Sequence, residues 1–223
     1  MNQQAKIPTN YGALGTLVTV FFFWGFIAAS NSIFIPFCKT HFNLTQFESQ
    51  LIGSAFYGAY FIGSLVLFLL SNVLGYDILN RIGYKKGIIY GLLISVVGAL
   101  LIIPSANANS FPAILAAFFV VALGFSLQQT AAQPFAIALG DPATGSHRLN
   151  LGGGVNSFGT TLGPIIVSYF LFGAIGTPEK EVTVSNINTL YLIVAGVFVA
   201  VAAFFAISKL PSGKNDEPFE KRK

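Results

Sequence analysis

The residues able to do chemistry in this chain are amides and hydroxyls set inside long apolar runs. One run holds Ser30, Asn31 and Ser32. Another holds Ser126, Gln128, Gln129, Thr130 and Gln133, and a third holds Asn150, Asn156, Ser157, Thr160 and Thr161. A polar side chain at bilayer depth is unfavourable unless it is paired or lines water, so these positions stand out. On a helix Gln129 and Gln133 are one turn apart on one face, as are Asn156 and Thr160. The three runs can therefore present amides and hydroxyls to a common polar cavity. Such groups suit a neutral polyhydroxylated ligand, because each sugar hydroxyl both donates and accepts a hydrogen bond. The competing role is interhelical hydrogen bonding that only holds a bundle together. That role suits Ser and Thr better than it suits three glutamines within six residues, where a hydroxyl would serve.

Other chemistry lacks its parts. No Asp, Glu, Lys, Arg or His lies in the middle of an apolar run. Glu48 precedes the second run, Asp77 and Arg81 follow it, and Asp141, His147 and Arg148 stand between the fourth and fifth. An amide does not titrate, so no proton-coupling group is evident. An intramembrane serine hydrolase needs a base within reach of its nucleophile. Ser157 has glycines nearby, but His41 and His147 fall in loops expected on opposite faces. Gly152, Gly153 and Gly154 lack the strand, Lys and Ser/Thr of a phosphate-binding loop, and are expected to weaken their helix locally. Cys38 is the sole cysteine, which excludes a disulfide framework and a four-thiolate metal site within one chain. No arginine-rich voltage sensor and no selectivity-filter run is present. Catalytic, metal and cofactor sites are all unexpected.

The elements that must position these groups are membrane spans. Of 223 residues only 12 are Lys or Arg and 8 Asp or Glu, while 54% are apolar and 23 are Phe. Mean hydropathy is +0.71. So few charges cannot clothe a soluble domain, and so apolar a chain is not disordered. A spanning helix takes about 20 residues, and six apolar runs fit: roughly 13–37, 50–74, 86–105, 111–139, 150–174 and 188–209. The first is too long for a signal peptide and has no small-residue cleavage site, so it is a retained helix. The fourth carries Pro134 in its last third, which favours a kink. Gly87 with Gly91, Gly159 with Gly163, and Gly53, Gly58 and Gly63 offer small residues for close helix packing in lipid.

Six spans place both termini on one face, with the 75–87 and 140–148 loops. That face holds ten of the twelve basic residues, leaving only Lys39 and Lys180 opposite. Without the tail the balance is still five against two. The positive-inside rule puts both termini in the cytoplasm of a multi-pass inner-membrane protein. The net charge of +4 is thereby a topology signal and does not point to nucleic acid.

At these residues the chain resembles the N-terminal six-helix half of a major facilitator superfamily sugar transporter. Its likeness is to the fucose:proton symporter branch, that of the fucose permeases and glucose/galactose transporters of Gram-negative bacteria. The matching stretches are FFFWGFIAASNSIFIPFCK in the first span, GYDILNRIGYKKG after the second, QQTAAQPF in the fourth and RLNLGGGVNSFG opening the fifth. The resemblance implies an all-α fold in which residues 1–210 form one half, a 3+3 inverted repeat, and residues 211–223 a charged tail or the start of a linker. It implies sugar contacts from Asn31, Gln129, Gln133 and Asn156, and a cytoplasmic conformational latch from Asp77, Arg81, Gly83, Lys85 and Lys86. Plain positive-inside anchoring is the competing role for those charges. The departures bear on mechanism. Where proton-linked members of the branch carry carboxylates this chain has Ser32 and Gln129, where they have Asn before the Pro-Phe pair it has Gln133, and a Gln of the fifth helix is Gly153. Proton coupling is thereby put in doubt.

Such transporters bind substrate at the midplane between two six-helix halves. The expected partners are therefore a sugar, the lipid bilayer and a second half. That half would be a missing C-terminal portion, a separate chain or a second copy. The membrane subunit of an ATP-driven transporter and a non-functional fragment are the alternatives.

Overall fold

A computed structural model describes residues 7–172 and 183–211; within its helices the side chains of 30–33 and 170–172 lie outside the described residues. It is all-helical over those residues. The elements are α1 (Tyr11–His41), α2 (Gln46–Leu74), the short α3 (Ile78–Ile82), α4 (Tyr84–Asn107), α5 (Phe111–Ala138), α6 (Gly145–Phe172) and α7 (Val184–Ile207), with a 3-10 turn at Pro142–Thr144. The six long helices correspond to the six expected spans. Five of them, α1, α2, α4, α5 and α7, are long and apolar enough to cross a membrane. The sixth, α6, has the length at 28 residues but is diluted by six glycines and its amides and hydroxyls. The expected end of that span at 174, the loop with Lys180, Lys6 and the tail from 212 onward lie outside the described residues.

Local chemistry sets the helix ends. Asn10 caps α1 by accepting from the Ala13 amide. Thr45 and Glu48 form a reciprocal capping box on α2, the pattern that satisfies two orphan donors at once. Gly75 closes α2 at φ 73°, and Gly83 joins α3 to α4 at φ 89°; both are left-handed conformations that a Cβ would strain. The Gly152–Gly154 run does not break α6, and α5 continues through Pro134 to Ala138. α6 stays helical across the three glycines, packed along its length against α1.

Lipid supplies no hydrophobic drive between helices, so packing detail decides which ones meet. The main pairs are α1 with α6, α2 with α5, and α4 with both α5 and α7. Exchanging the triplet α1, α2, α4 with α5, α6, α7 turns α1–α6 into α5–α2 and returns α4–α7 to itself, as an inverted repeat requires, whereas the extensive α4–α5 pair maps onto α1–α7, which meet only slightly. Interior volume is filled by phenylalanine. Phe34, Phe118, Phe125, Phe135, Phe198 and Phe205 are fully buried. The Phe34 ring lies 4.9 Å from Phe118 and 5.4 Å from Tyr191, joining α1, α5 and α7. Both ends of the described chain sit at one face. There the Asn10 amide donates to the Leu139 carbonyl, and Lys85 at the start of α4 meets the end of α7.

Glycine makes the two tightest seams. Between α4 and α5, a methyl on Gly91 would meet the Gly124 carbonyl at 2.6 Å, and one on Gly98 would meet the Val121 amide at 2.5 Å. Between α1 and α6, a methyl on Gly25 would collide with the Asn156 carbonyl, one on Gly159 with the Phe22 carbonyl, and one on Gly163 with the Phe26 carbonyl. The expected packing role thus holds for Gly87, Gly91, Gly159 and Gly163. In α2 it holds for Gly63, which abuts Ser126, whereas Gly53 and Gly58 face open space.

Candidate functional site

The polar groups of the three helices separate into those used by the bundle and those left open. Gln128 is buried and fully engaged. Its Oε1 accepts from Trp24 Nε1 at 3.3 Å, and its Nε2 donates to Ser95 Oγ at 3.1 Å. Ser95 donates onward to the Val121 carbonyl at 3.1 Å, so one chain of bonds joins α1, α5 and α4. Ser126 is likewise structural, donating to the Tyr60 carbonyl and lying 3.0 Å from Ser64 Oγ. By contrast Gln129 is half-buried and Gln133 exposed, and neither side chain has a hydrogen-bond partner among the described residues. The Asn156 amide nitrogen donates to the Phe21 carbonyl at 3.0 Å, leaving its oxygen free for another donor. The hydroxyls of Ser157, Thr160 and Thr161 donate back to carbonyls one turn earlier and stay exposed.

Depth follows from the registers. Trp24 meets Gln128, and ten residues along α1 Phe34 meets Phe118, ten residues back along α5. The two helices are therefore antiparallel with a fixed offset. Gln129 lies level with residue 23 of α1 and Gln133 with residue 19. Asn156 is anchored at residue 21. All three fall within about 6 Å along the helix axes. Asn31 is ten residues beyond Phe21, about 15 Å nearer the opposite face. The side chains of Asn31 and Ser32 lie outside the described residues. The backbone thus brings Gln129, Gln133 and Asn156 to one level and sets position 31 apart from them.

The latch residues are partly occupied. Asp77 caps α3 by accepting from the Asn80 amide at 2.9 Å. Arg81 is exposed, its guanidinium 4.5 Å from the centre of the Tyr76 ring. Lys85 donates to the carbonyls of Ala206 at 3.0 Å and Ser208 at 2.8 Å, placing a cation on the negative end of the α7 dipole. Lys86 is exposed.

One residue read in the charge balance and as the start of the RLNL stretch, with no structural role assigned, proves central to this face. Arg148 is 3% exposed yet has no carboxylate partner among the described residues. Its five donors are all matched: Nε to the Ala136 carbonyl, Nη2 to the Ile137 and Asp141 carbonyls, and Nη1 to the Thr144 and Thr9 hydroxyls. The last carbonyls of a helix lack intrahelical partners and carry partial negative charge. Arg148 therefore ends α5, starts α6 and pins the N-terminal segment together. The basic residue beginning α6 was visible in the sequence, but its burial was not.

The molecule can also be set beside known proteins. Residues 14–223 match the Major Facilitator Superfamily pattern. The glucose/galactose transporter of Brucella abortus biovar 1 (strain 9-941) is 38% identical over 219 residues, covering 98% of this chain and 51% of that protein. The L-fucose-proton symporter of Escherichia coli (strain K12) is 30% identical over 215 residues, covering 90% of this chain and 47% of that protein. The crystal structure of the transporter FucP in its outward conformation superposes with a TM-score of 0.71 at 30% identity, covering 92% of this chain and 52% of that one. The chain spans about half the length of the curated relatives it matches. These relatives are membrane transporters and not enzymes, in keeping with a multi-pass bundle that presents amides at depth. By pattern, relatives and fold alike, the chain belongs to the Major Facilitator Superfamily.

Proposed function

We propose that residues 1–210 form the N-terminal six-helix half of a secondary transporter for a neutral sugar such as glucose, galactose or fucose. It works by alternating access in a bacterial inner membrane with both termini in the cytoplasm. The observation that carries the reading is the common level of Gln129, Gln133 and Asn156, with two unpartnered amides and one half-used amide between α5 and α6. A pyranose ring spans a comparable distance, and its hydroxyls would supply the missing donors and acceptors. Asn31 would contact the sugar only toward the opposite end of the cavity. Substrate binding at the midplane of such folds requires a second half facing the first. A continuation of the chain, a separate chain or a second copy would supply it.

Coupling to protons through this half is disfavoured. Ser32 and Gln129 occupy the positions where proton-linked members of the resembled branch carry carboxylates, and neither titrates. Arg81 and Lys86 remain free to act in the cytoplasmic latch with Gly83 as its turn, while Asp77 and Lys85 steady α3 and α7. The test is radiolabelled sugar uptake into vesicles carrying this chain with a six-helix C-terminal half. Saturable uptake that is insensitive to a proton uncoupler is expected. Absence of both uptake and sugar binding sinks the reading.

A further inference from the structure

We propose a second sugar site, in the cleft on the face opposite the described chain ends, between the α1–α2 and α4–α5 connections. The proposal rests on the sugar-transport reading but uses a different part of the molecule. The cleft is open, with a volume of about 560 Å³, and is lined by His41, Phe42, Asn43, Glu48, Asn109 and Phe111 among others. That is ample for one hexose.

Its construction suits a neutral polyol. Phe42 and Phe111, one from each connection, lie with ring centres 5.9 Å apart and tilted by 45°. Their negative faces can receive the polarised C–H groups of a pyranose. The flanking polar groups are amides and a single carboxylate. Glu48 is held by its capping box, with Oε2 accepting from the Thr45 amide and hydroxyl at 2.8 Å each, which leaves Oε1 without a partner among the described residues. The side chains of Asn43 and Asn109 make no hydrogen bond among the described residues, and Ser110, at the N-cap of α5, makes no side-chain cap bond. Among the described residues, Asn43 and Asn109 are the non-glycine residues with positive φ, 52° and 51°, each just past the end of a long helix. Asparagine tolerates that conformation, and it fixes both loops without a ligand. His41 stacks on Phe37 at 5.3 Å, which anchors the rim. Lys39 is occupied by Gln46 Oε1 at 2.6 Å. One carboxylate beside amides and ring faces gives no field that would select an anion.

The cleft is lined wholly by this chain, whereas the midplane amides form only part of a site. The two can therefore be separated experimentally. The full chain in nanodiscs is titrated with glucose, galactose and fucose while saturation-transfer NMR reads the sugar. Weak, millimolar-range binding is expected without any second half. Asn109→Gly keeps the positive φ and removes only the amide, so it leaves the fold intact; it should weaken binding at least about threefold, and Phe111→Ala more. Gly153→Ala, where a methyl meets nothing within 4 Å, should leave this binding unchanged. No binding to the chain alone at about 100 mM sugar, or binding that survives Asn109→Gly and Phe111→Ala but is lost in Gln129→Ala, overturns the outer site. Uptake with a second half would in those cases still stand, so the failure of this site is distinguishable from failure of the transport reading.

Discussion

The α4–α5 and α1–α6 seams use the same device to opposite ends. Both bring backbones together over glycines, Gly91, Gly98 and Gly124 in one, Gly25, Gly159 and Gly163 in the other. In the α4–α5 seam the polar groups close on each other: Ser95 and Gln128 are buried and satisfied. In the α1–α6 seam Asn156 is half-used, and Ser157, Thr160 and Thr161 stay exposed. The difference teaches that polarity at membrane depth has two roles here, separated by a single residue. Gln128 binds the bundle, and Gln129 beside it is left for something else.

Breaking either seam should give the largest effects. Gly25→Leu and Gly124→Leu force a side chain into facing backbone that cannot yield, and overpacking of this kind costs about 1–3 kcal/mol or more. Loss of the monodisperse folded peak in detergent, or a large drop in the thermal unfolding midpoint, is the expected result. Gly153→Ala is the control, because a methyl there meets nothing within 4 Å. It should stabilise α6 by about 0.5–1 kcal/mol from helix propensity alone.

Next in size is Arg148. Arg148→Met removes the Arg148 donors from the Ala136 and Ile137 carbonyls, while the Asp141 carbonyl keeps the Thr144 amide and hydroxyl; it should destabilise by about 1–3 kcal/mol, the range for leaving a buried acceptor unsatisfied. Arg148→Lys should recover only part of the loss, as an ammonium offers three donors on a point charge in place of a five-donor fork. Thermal unfolding of the two variants measures the difference. Equal stability of Arg148→Met and the parent chain would remove the staple from the account.

The comparison is sharpened by Gln128→Leu beside Gln129→Leu. The first orphans Trp24 Nε1 and one polar contact of Ser95, costing about 1–2 kcal/mol of stability. The second should leave stability within about 0.5 kcal/mol. Sugar binding in the completed transporter should respond in reverse, falling about tenfold for Gln129→Leu, equivalent to about 1.4 kcal/mol. The smallest effect is expected at Lys85→Ala, where a half-buried cation leaves the α7 terminus and about 0.3–1 kcal/mol is lost.

Much of this bundle was legible because apolar runs leave a linear trace and the family motifs carry the rest of the fold. Six runs became six long helices, with ends displaced by a few residues. The first extends from Tyr11 to His41, beyond 13–37, because helical turns continue past the apolar stretch under capping by Asn10 and the Phe42 end. α6 starts at Gly145, ahead of 150, since a polar first turn carries no hydropathy signal. The division of labour among amides was not legible. Gln128 and Gln129 are identical in type and adjacent, and only the rotation of α5 against Ser95 and Trp24 decides which is buried. Lys85 and Arg148 count the same as any basic residue in a topology tally, yet each closes a helix end. The separation of position 31 from Asn156 was also hidden, because residue numbers in different helices share no common level until a contact such as Asn156 to Phe21 ties them.

The most direct test of the central claim is sugar protection of cysteine labelling at depth. In a background with Cys38→Ala, Gln133→Cys and Ser157→Cys are each introduced into the chain joined to a second half, and labelled with a membrane-permeant maleimide. Saturating transported sugar should slow labelling at both positions several-fold and leave a Gly53→Cys control unchanged. Labelling at positions 133 and 157 that proceeds at the same rate with and without sugar, in a preparation that transports it, would contradict a sugar site built on Gln129, Gln133 and Asn156.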